Sequence, residues 1–235
     1  MIRFSLQTHD SLGSTNDEAR RLADAGAPHG TVVTANRQTA GRGRQGRHWV
    51  SPAGNLYLSI LLRLAQPPAR FPELGFLAAL AVADATDRFA SARATLKWPN
   101  DVLVDGAKLS GILVERADPA LIIGIGLNVL HVPSGTPGPA TSLAQLGATS
   151  ANVPSLRAAL LDAVARRLTQ WIDIGFEPIR AEWLARAHPP GTHLVVTTAT
   201  GSIRGRFAGL ATNGALLLDT DDGRRQLIAG DVAVA

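Results

Sequence analysis

From Gly41 to Trp49 the chain reads Gly-Arg-Gly-Arg-Gln-Gly-Arg-His-Trp, so arginine and glycine alternate up to an indole. Each guanidinium presents a rigid fork of donors suited to phosphate or carboxylate. Glycine lets the backbone come close to a ligand and lets a loop change shape. A solvated arginine loop is the plainer alternative. The repeated Gly-Arg steps, followed by Trp49 and Pro52, favour a mobile clamp for an anion.

Three further constellations could carry chemistry. Lys97-Trp98-Pro99-Asn100-Asp101 is followed by Lys108 and Gly111. Pro99 fixes an extended-to-turn geometry after Trp98, and Asn100 and Asp101 read equally well as turn formers. Lys108 borders the apolar residues Leu109, Ile112, Leu113 and Val114. It is thus either a rim charge or a preorganised holder of carboxylate or phosphate. Gly124-Ile125-Gly126-Leu127-Asn128 places glycines at a strand end, where something approaches the backbone closely; Asn128 either binds a polar edge or caps the turn. Ser14-Thr15-Asn16 is a helix start, and a helix N-terminus also receives polar ligands.

These residues need elements to position them. Short strands are expected at 3–7 and 31–35, with a helix between them that ends at Gly26 and Pro28. Residues 55–62 read as a largely buried strand and 72–92 as an apolar central helix. Strands follow at 95–97, 102–104, 108–115 and 121–125, with Asp105-Gly106 as a hairpin turn. Pro133 to Pro139 reads as a surface loop. Leu156, Leu160, Leu161, Val164, Leu168 and Trp171 recur at helical spacing, and a shorter helix fits 177–187. After Pro189-Pro190-Gly191, Thr200-Gly201, Asn213-Gly214 and Asp222-Gly223 punctuate short β-rich runs, which predict a small barrel. The expected division is therefore 1–188 and 189–235.

Composition narrows the function classes. At 235 residues and 46% hydrophobic content the chain can bury a sizeable core. Its formal charge is +4, with no basic stripe or tail beyond the clamp, which argues against a nucleic-acid binder. There is no apolar leader and no apolar run long enough for a membrane span. Cysteine is absent, which fits a reducing, cytoplasmic compartment and excludes a thioester acyl-enzyme and a cysteine-ligated metal. The scattered histidines have no metal-ligand spacing, so no metal site is expected. No Walker P-loop and no G-x-G-x-x-G occurs.

Together, the clamp with Trp49, Ser51-Pro52 and Asn55-Leu56-Tyr57, then Lys97 to Asp101 and Lys108 to Glu115, resemble biotin protein ligase in order and spacing across the whole chain. The resemblance implies an α+β fold: a mixed β-sheet flanked by helices, class II synthetase-like, plus a small C-terminal SH3-like β-barrel. It implies that biotin and ATP, with Mg²⁺ bridging the phosphates, form biotinyl-5′-adenylate. The biotinyl group then passes to a lysine of a biotin carboxyl carrier protein. It also implies roles for residues. Ser14, Thr15 and Asn16, with Gln38, bond the ureido ring, and Gly41 belongs to the same biotin-binding set. Arg42 lines the biotin tail and its carboxylate end. Arg44 and Arg47 act on phosphate. Lys108 contacts carboxylate and phosphate as the main catalytic residue. Asn100 and Asp101 sit beside the adenylate, with Asp101 handling the incoming lysine's proton or orienting Lys108. Gly111, Gly124 and Gly126 leave room for biotin, Asn128 faces the nucleotide, and Trp49 covers the intermediate.

The resemblance begins at Ser14, so no helix-turn-helix and no DNA partner are expected. A lipoate or octanoate ligase shares the fold and the lysine, but its glycine-rich R-x-S-G-G-G type signature is missing. A non-catalytic effector or DNA-linked biotin sensor would lack Lys108 or carry the DNA-binding domain. Edge strands offer surfaces for a homodimer, and no sequence feature decides it.

Overall fold

The computed structural model describes residues 2–133 and 138–235. The elements in chain order are β1 (Ser5–Leu12), α1 (Thr15–Asp24), β2 (Thr31–Gln38), β3 (Leu56–Leu62), α2 (Glu73–Thr86), β4 (Thr95–Lys97), β5 (Asp101–Val104), β6 (Ala107–Ala117) and β7 (Ala120–Leu127). They continue with α3 (Val153–Asp173), α4 (Phe176–Leu184), β8 (His193–Thr198), β9 (Gly201–Leu210), β10 (Leu216–Thr220), β11 (Gly223–Leu227) and β12 (Asp231–Val234).

A seven-stranded mixed sheet runs β1-β2-β3-β7-β6-β5-β4. Only β1 and β2 pair in parallel, joined by the crossover helix α1; the other neighbours are antiparallel. At the centre β3 is buried at every position, because helices cover both faces. On one face, Ala19 and Ala23 of α1 pack on Val33, Leu61 and Ile122. On the other lies α2, whose apolar residues point all round because it is sandwiched between sheet and α3.

The predicted elements are found with shifted ends. The first strand starts later and runs further, through Leu12. The central helix stops at Thr86 rather than 92, since Phe89 and Ala90 complete it only as capping turns. The hairpin β5–β6 turns at Asp105 and Gly106, both at positive φ (50° and 76°), which the Asp-Gly pair tolerates. The centre of the expected 133–139 loop, 134–137, lies outside the described residues.

The C-terminal strands form an antiparallel sheet, order β11-β10-β9-β8-β12. The expected five strands are present and form the SH3-like antiparallel sheet; among the described residues β11 and β12 do not pair, so no closed barrel is formed. Its inner face needs no closure, because Val196, Phe207, Leu216 and Leu218 pack into the main core with Phe76, Phe176 and Trp183. The Trp98 indole N–H donates to the Gly214 carbonyl at 3.1 Å and joins the two sheets. Among the described residues no helix is long and apolar enough to cross a membrane.

Candidate active site

A cavity of about 910 Å³ opens over the β5–β6–β7 end of the large sheet. Every site residue expected from the sequence lines it except Gly41. A Cβ at Gly41 would lie 2.4 Å from the Trp49 carbonyl oxygen and 2.6 Å from Ser51 Oγ, so Gly41 is the tight joint where the clamp returns on itself.

One part of the cavity is neutral and polar. Ser14 takes the N-cap backbone conformation of α1 without a side-chain cap bond. Instead the Thr15 amide and hydroxyl donate to Gln38 Oε1 at 2.8 and 3.1 Å. Gln38 Nε2 donates to Ser51 Oγ, and that hydroxyl donates to the Trp49 carbonyl. Ser59 of β3 donates to Asn16 Oδ1 at 2.6 Å, and Asn16 Nδ2 donates to Glu115 at 2.7 Å. α1, β2, β3, β6 and the clamp thus converge on one buried hydrogen-bond network. Buried polar groups hold position when all are partnered.

Gly124 and Gly126 present the same face of β7, two residues or roughly 6.6 Å apart. A Cβ at Gly124 would stand 2.2 Å from Asn16 Oδ1, and one at Gly126 would stand 2.6 Å from the Trp49 ring. Gly111, paired with Gly126 across β6–β7, also lies under that indole, with Cζ3 3.0 Å from its would-be Cβ. The missing side chains form a slot along the strand, and Trp49 lies in it. Its Nε1 is buried without a hydrogen-bond partner, as is Asn128 Oδ1. Asn128 Nδ2 donates to the Thr141 carbonyl at 3.0 Å.

Beyond the slot the cavity is cationic. Lys108 Nζ stands 2.6 Å from Asp101 Oδ1 and 5.3 Å from the Trp49 ring centroid. Its backbone is fixed on both sides, since its N–H donates to the Pro139 carbonyl and its carbonyl accepts from Thr141. Lys97 stands 3.4 Å from Asp101 Oδ2. Asn100 is pinned to β6 through Ile112, with its Nδ2 donating to that carbonyl at 2.9 Å.

The clamp is a short hairpin-like loop. The Gly43 N–H donates to the Arg47 carbonyl at 2.7 Å, around a tight turn with Gln45 and Gly46 at positive φ (56° and 72°). Arg42 reaches Glu115 and Asp17 at 3.1 and 2.5 Å. Burial alone would lower its pKa, but Glu115 and Asp17 outweigh that and raise it. Arg44 donates to Asn100 Oδ1 at 3.2 Å, and burial pushes its pKa below the ordinary value. Arg47 ion-pairs with Asp231.

Sequence reasoning passed over Glu115, Lys97, His188 and Asp231. Glu115 and Lys97 stand inside the motifs already singled out; Asp231 is 184 positions from Arg47 and gives no local signal. Among the described residues no cluster of three or more His, Cys, Asp or Glu could hold a metal ion.

The profile of the biotin/lipoate A/B protein ligase family matches residues 10–129, and that of the biotin protein ligase C-terminal domain matches 193–234. The chain belongs to the biotin/lipoate A/B protein ligase family. Similar proteins include the biotin–[acetyl-CoA-carboxylase] ligase of Paracoccus denitrificans, 38% identical over 93% of this chain and 96% of that one. The bifunctional ligase/repressor BirA of Bacillus subtilis is 36% identical over 98% of this chain and 77% of its own length. Among solved structures, biotin protein ligase from Aquifex aeolicus in complex with biotin and ATP superposes with a TM-score of 0.86 at 28% identity, covering 98% of both chains.

Proposed function

We propose that this biotin/lipoate-family ligase activates biotin with ATP to biotinyl-5′-adenylate and transfers the biotinyl group to a lysine of a carboxylase's biotin carboxyl carrier protein. The observation that carries the reading is the gradient inside one cavity. Neutral donors and acceptors from Ser14, Thr15, Asn16 and Gln38 give way to a glycine-floored slot, then to Lys108, Arg44 and Arg47. A neutral cyclic urea on an apolar ring, with a tail ending in a carboxylate beside phosphates, has this sequence of chemistries. A dithiolane or a plain acyl chain offers nothing for the buried polar network to bond, and an unmet buried donor is costly.

In the first step a biotin carboxylate oxygen attacks the ATP α-phosphorus, and pyrophosphate leaves. Two anions must meet, so fixed cations have to offset their repulsion and the charge of the transition state. Lys108 bridges carboxylate and phosphate as the main catalytic residue, with Arg42 on the carboxylate and Arg44 and Arg47 on phosphate. Asn100 and Asn128 border the nucleotide. In the second step the carrier's lysine amine attacks the acyl carbon and AMP leaves. Asp101, held by Lys108 and Lys97, orients Lys108; one of those pairs must open before Asp101 can take the lysine's proton. Trp49 moves from the slot to cover the intermediate, which excludes water from a labile mixed anhydride.

The acids lining the cavity among the described residues, Asp101 and Asp231, are both ion-paired to cations. That donor set fits a Mg²⁺ carried on the nucleotide's own phosphates and retaining waters. The ion would supply charge neutralisation of the leaving pyrophosphate. We divide the chain at 188/189, because no strand pairing crosses between the two sheets. The cytoplasm, where carboxylases and ATP meet, is the proposed location, and a homodimer through an edge strand is compatible with the open β1 edge.

Isotope exchange of pyrophosphate into ATP, run with biotin, lipoate and octanoate, tests the reading. Exchange with biotin is expected, followed by streptavidin-detectable labelling of a carrier domain. Exchange with lipoate or octanoate alone, or with none of the three, would overturn it.

A further inference from the structure

The clamp does not stand alone. Arg44 and Arg47 both reach Asp231, the first residue of β12 in the C-terminal sheet. Arg47 Nη2 pairs with Asp231 Oδ2, and Arg44 Nη1 stands 3.6 Å from Asp231 Oδ1 and donates to the Gly230 carbonyl at 3.3 Å. Asp231 to Val234 also line the cavity. Asp231 is partly exposed and belongs to a sheet otherwise packed on the far side of the core from α1. Burial would raise its pKa, but Arg47, Arg44 and Lys97 hold it below the ordinary value, so it stays anionic at neutral pH.

A clamp on glycines needs something outside itself to fix where its arginines point. Without a tether, ordering the loop over a ligand costs the conformational freedom of each arginine side chain. We infer that Asp231 is a positioning residue: a latch in the C-terminal sheet that aims Arg44 and Arg47 at the phosphate side of the cavity and keeps the clamp closed over the activated intermediate. The inference rests on the ligase reading of the site. It gives the C-terminal sheet a share in retaining the intermediate, beyond its packing.

The latch has a distinct signature. Fixing the arginines should matter most for the state held longest, the adenylate, and for the substrate bearing the phosphates. Asp219, paired with Arg224 in the same sheet and away from the cavity, provides the control.

The test uses the full chain as parent, Asp231→Asn, Asp231→Glu and Asp219→Asn. Adenylate is formed in place from biotin and labelled ATP, then chased, and its release is timed. KM for ATP and for biotin are read separately in pyrophosphate exchange. Asp231→Asn is expected to release adenylate about 3- to 10-fold faster and to raise KM for ATP more than KM for biotin. Asp231→Glu should restore most of the retention, and Asp219→Asn should match the parent. A double-mutant cycle of Asp231→Asn with Arg47→Gln should be non-additive. If the parent exchanges normally and Asp231→Asn releases adenylate at the parent's rate or more slowly, the latch is wrong; slower release would mean that Asp231 competes with phosphate. If the parent shows no biotin-dependent exchange, it is the ligase reading that fails.

Discussion

Gly124→Ala places one methyl group where the proposed ureido site meets β7. The added Cβ would stand 2.2 Å from Asn16 Oδ1 and 2.9 Å from Cγ and Nδ2, distances no real Cβ holds. The neighbour is a side-chain end, which can usually swing aside. Here it cannot do so freely, because Ser59 and the charged Glu115 hold it. Displacing Asn16 loses a neutral hydrogen bond, about 1 kcal/mol, and one to a carboxylate, about 1.5–3 kcal/mol. The fold should therefore lose about 2.5–4 kcal/mol, read as a lower urea midpoint. Biotin would lose one or two neutral hydrogen bonds, about 1–3 kcal/mol, or roughly 5- to 150-fold in Kd by calorimetry. ATP affinity should hold. Gly75→Ala is the control: its Cβ meets only Val114 Cγ2 at 3.9 Å, and inside α2 it should stabilise by about 0.5–1 kcal/mol. A folded Gly124→Ala that binds biotin as tightly as the parent would refute the placement of the ureido ring on Asn16.

Lys108→Ala should lower kcat for pyrophosphate exchange by about 10²–10³, the usual cost of losing one preorganised charge in a transition state, with biotin Kd changing less; a change below fivefold would contradict its central role. Arg44→Gly should release adenylate faster and label bystander proteins, read by streptavidin blot of a protein mixture. His188 and His29 have pKa values lowered by burial, with Lys97 adding to the effect at His188. The unfolded chain thus takes the proton first. Stability should fall as pH drops below about 6.5, and His29→Asn with His188→Asn should flatten that slope in urea titrations. Asp231 has the opposite sense of charge: its ion pairs contribute above about pH 3.8 and are lost as pH falls through its lower folded pKa. The urea-midpoint difference between parent and Asp231→Asn should accordingly vanish in acid.

Much of the site is legible locally. The clamp, Lys108 and the paired glycines of β7 announce themselves because their chemistry depends on residue type and short spacing. Asp105-Gly106 predicts the β5–β6 hairpin for the same reason, since its turn needs positive φ at both residues. Element ends were less legible. Asp87 and Arg88 interrupt the apolar run, but Phe89, Ala90 and Ala92 resume it, so packing decides where α2 stops. Closure of the C-terminal sheet was likewise undecidable from turn signals, since an inner face is satisfied equally by a partner strand or by Phe76 and Trp183.

The sequence by itself determined the inventory: which cations, which amides and hydroxyls, which glycines, and the family to which they belong. The tertiary structure alone decided that Glu115 holds both Asn16 and Arg42, that Trp49 lies in the glycine slot, and that Asp231 grips the clamp. Chemistry written within a few residues is fixed by local geometry. Pairs separated by 73, 99 or 184 positions exist only because the sheet order β3-β7-β6 and the docking of β12 bring them together. No spacing along the chain encodes a distance created by strand order.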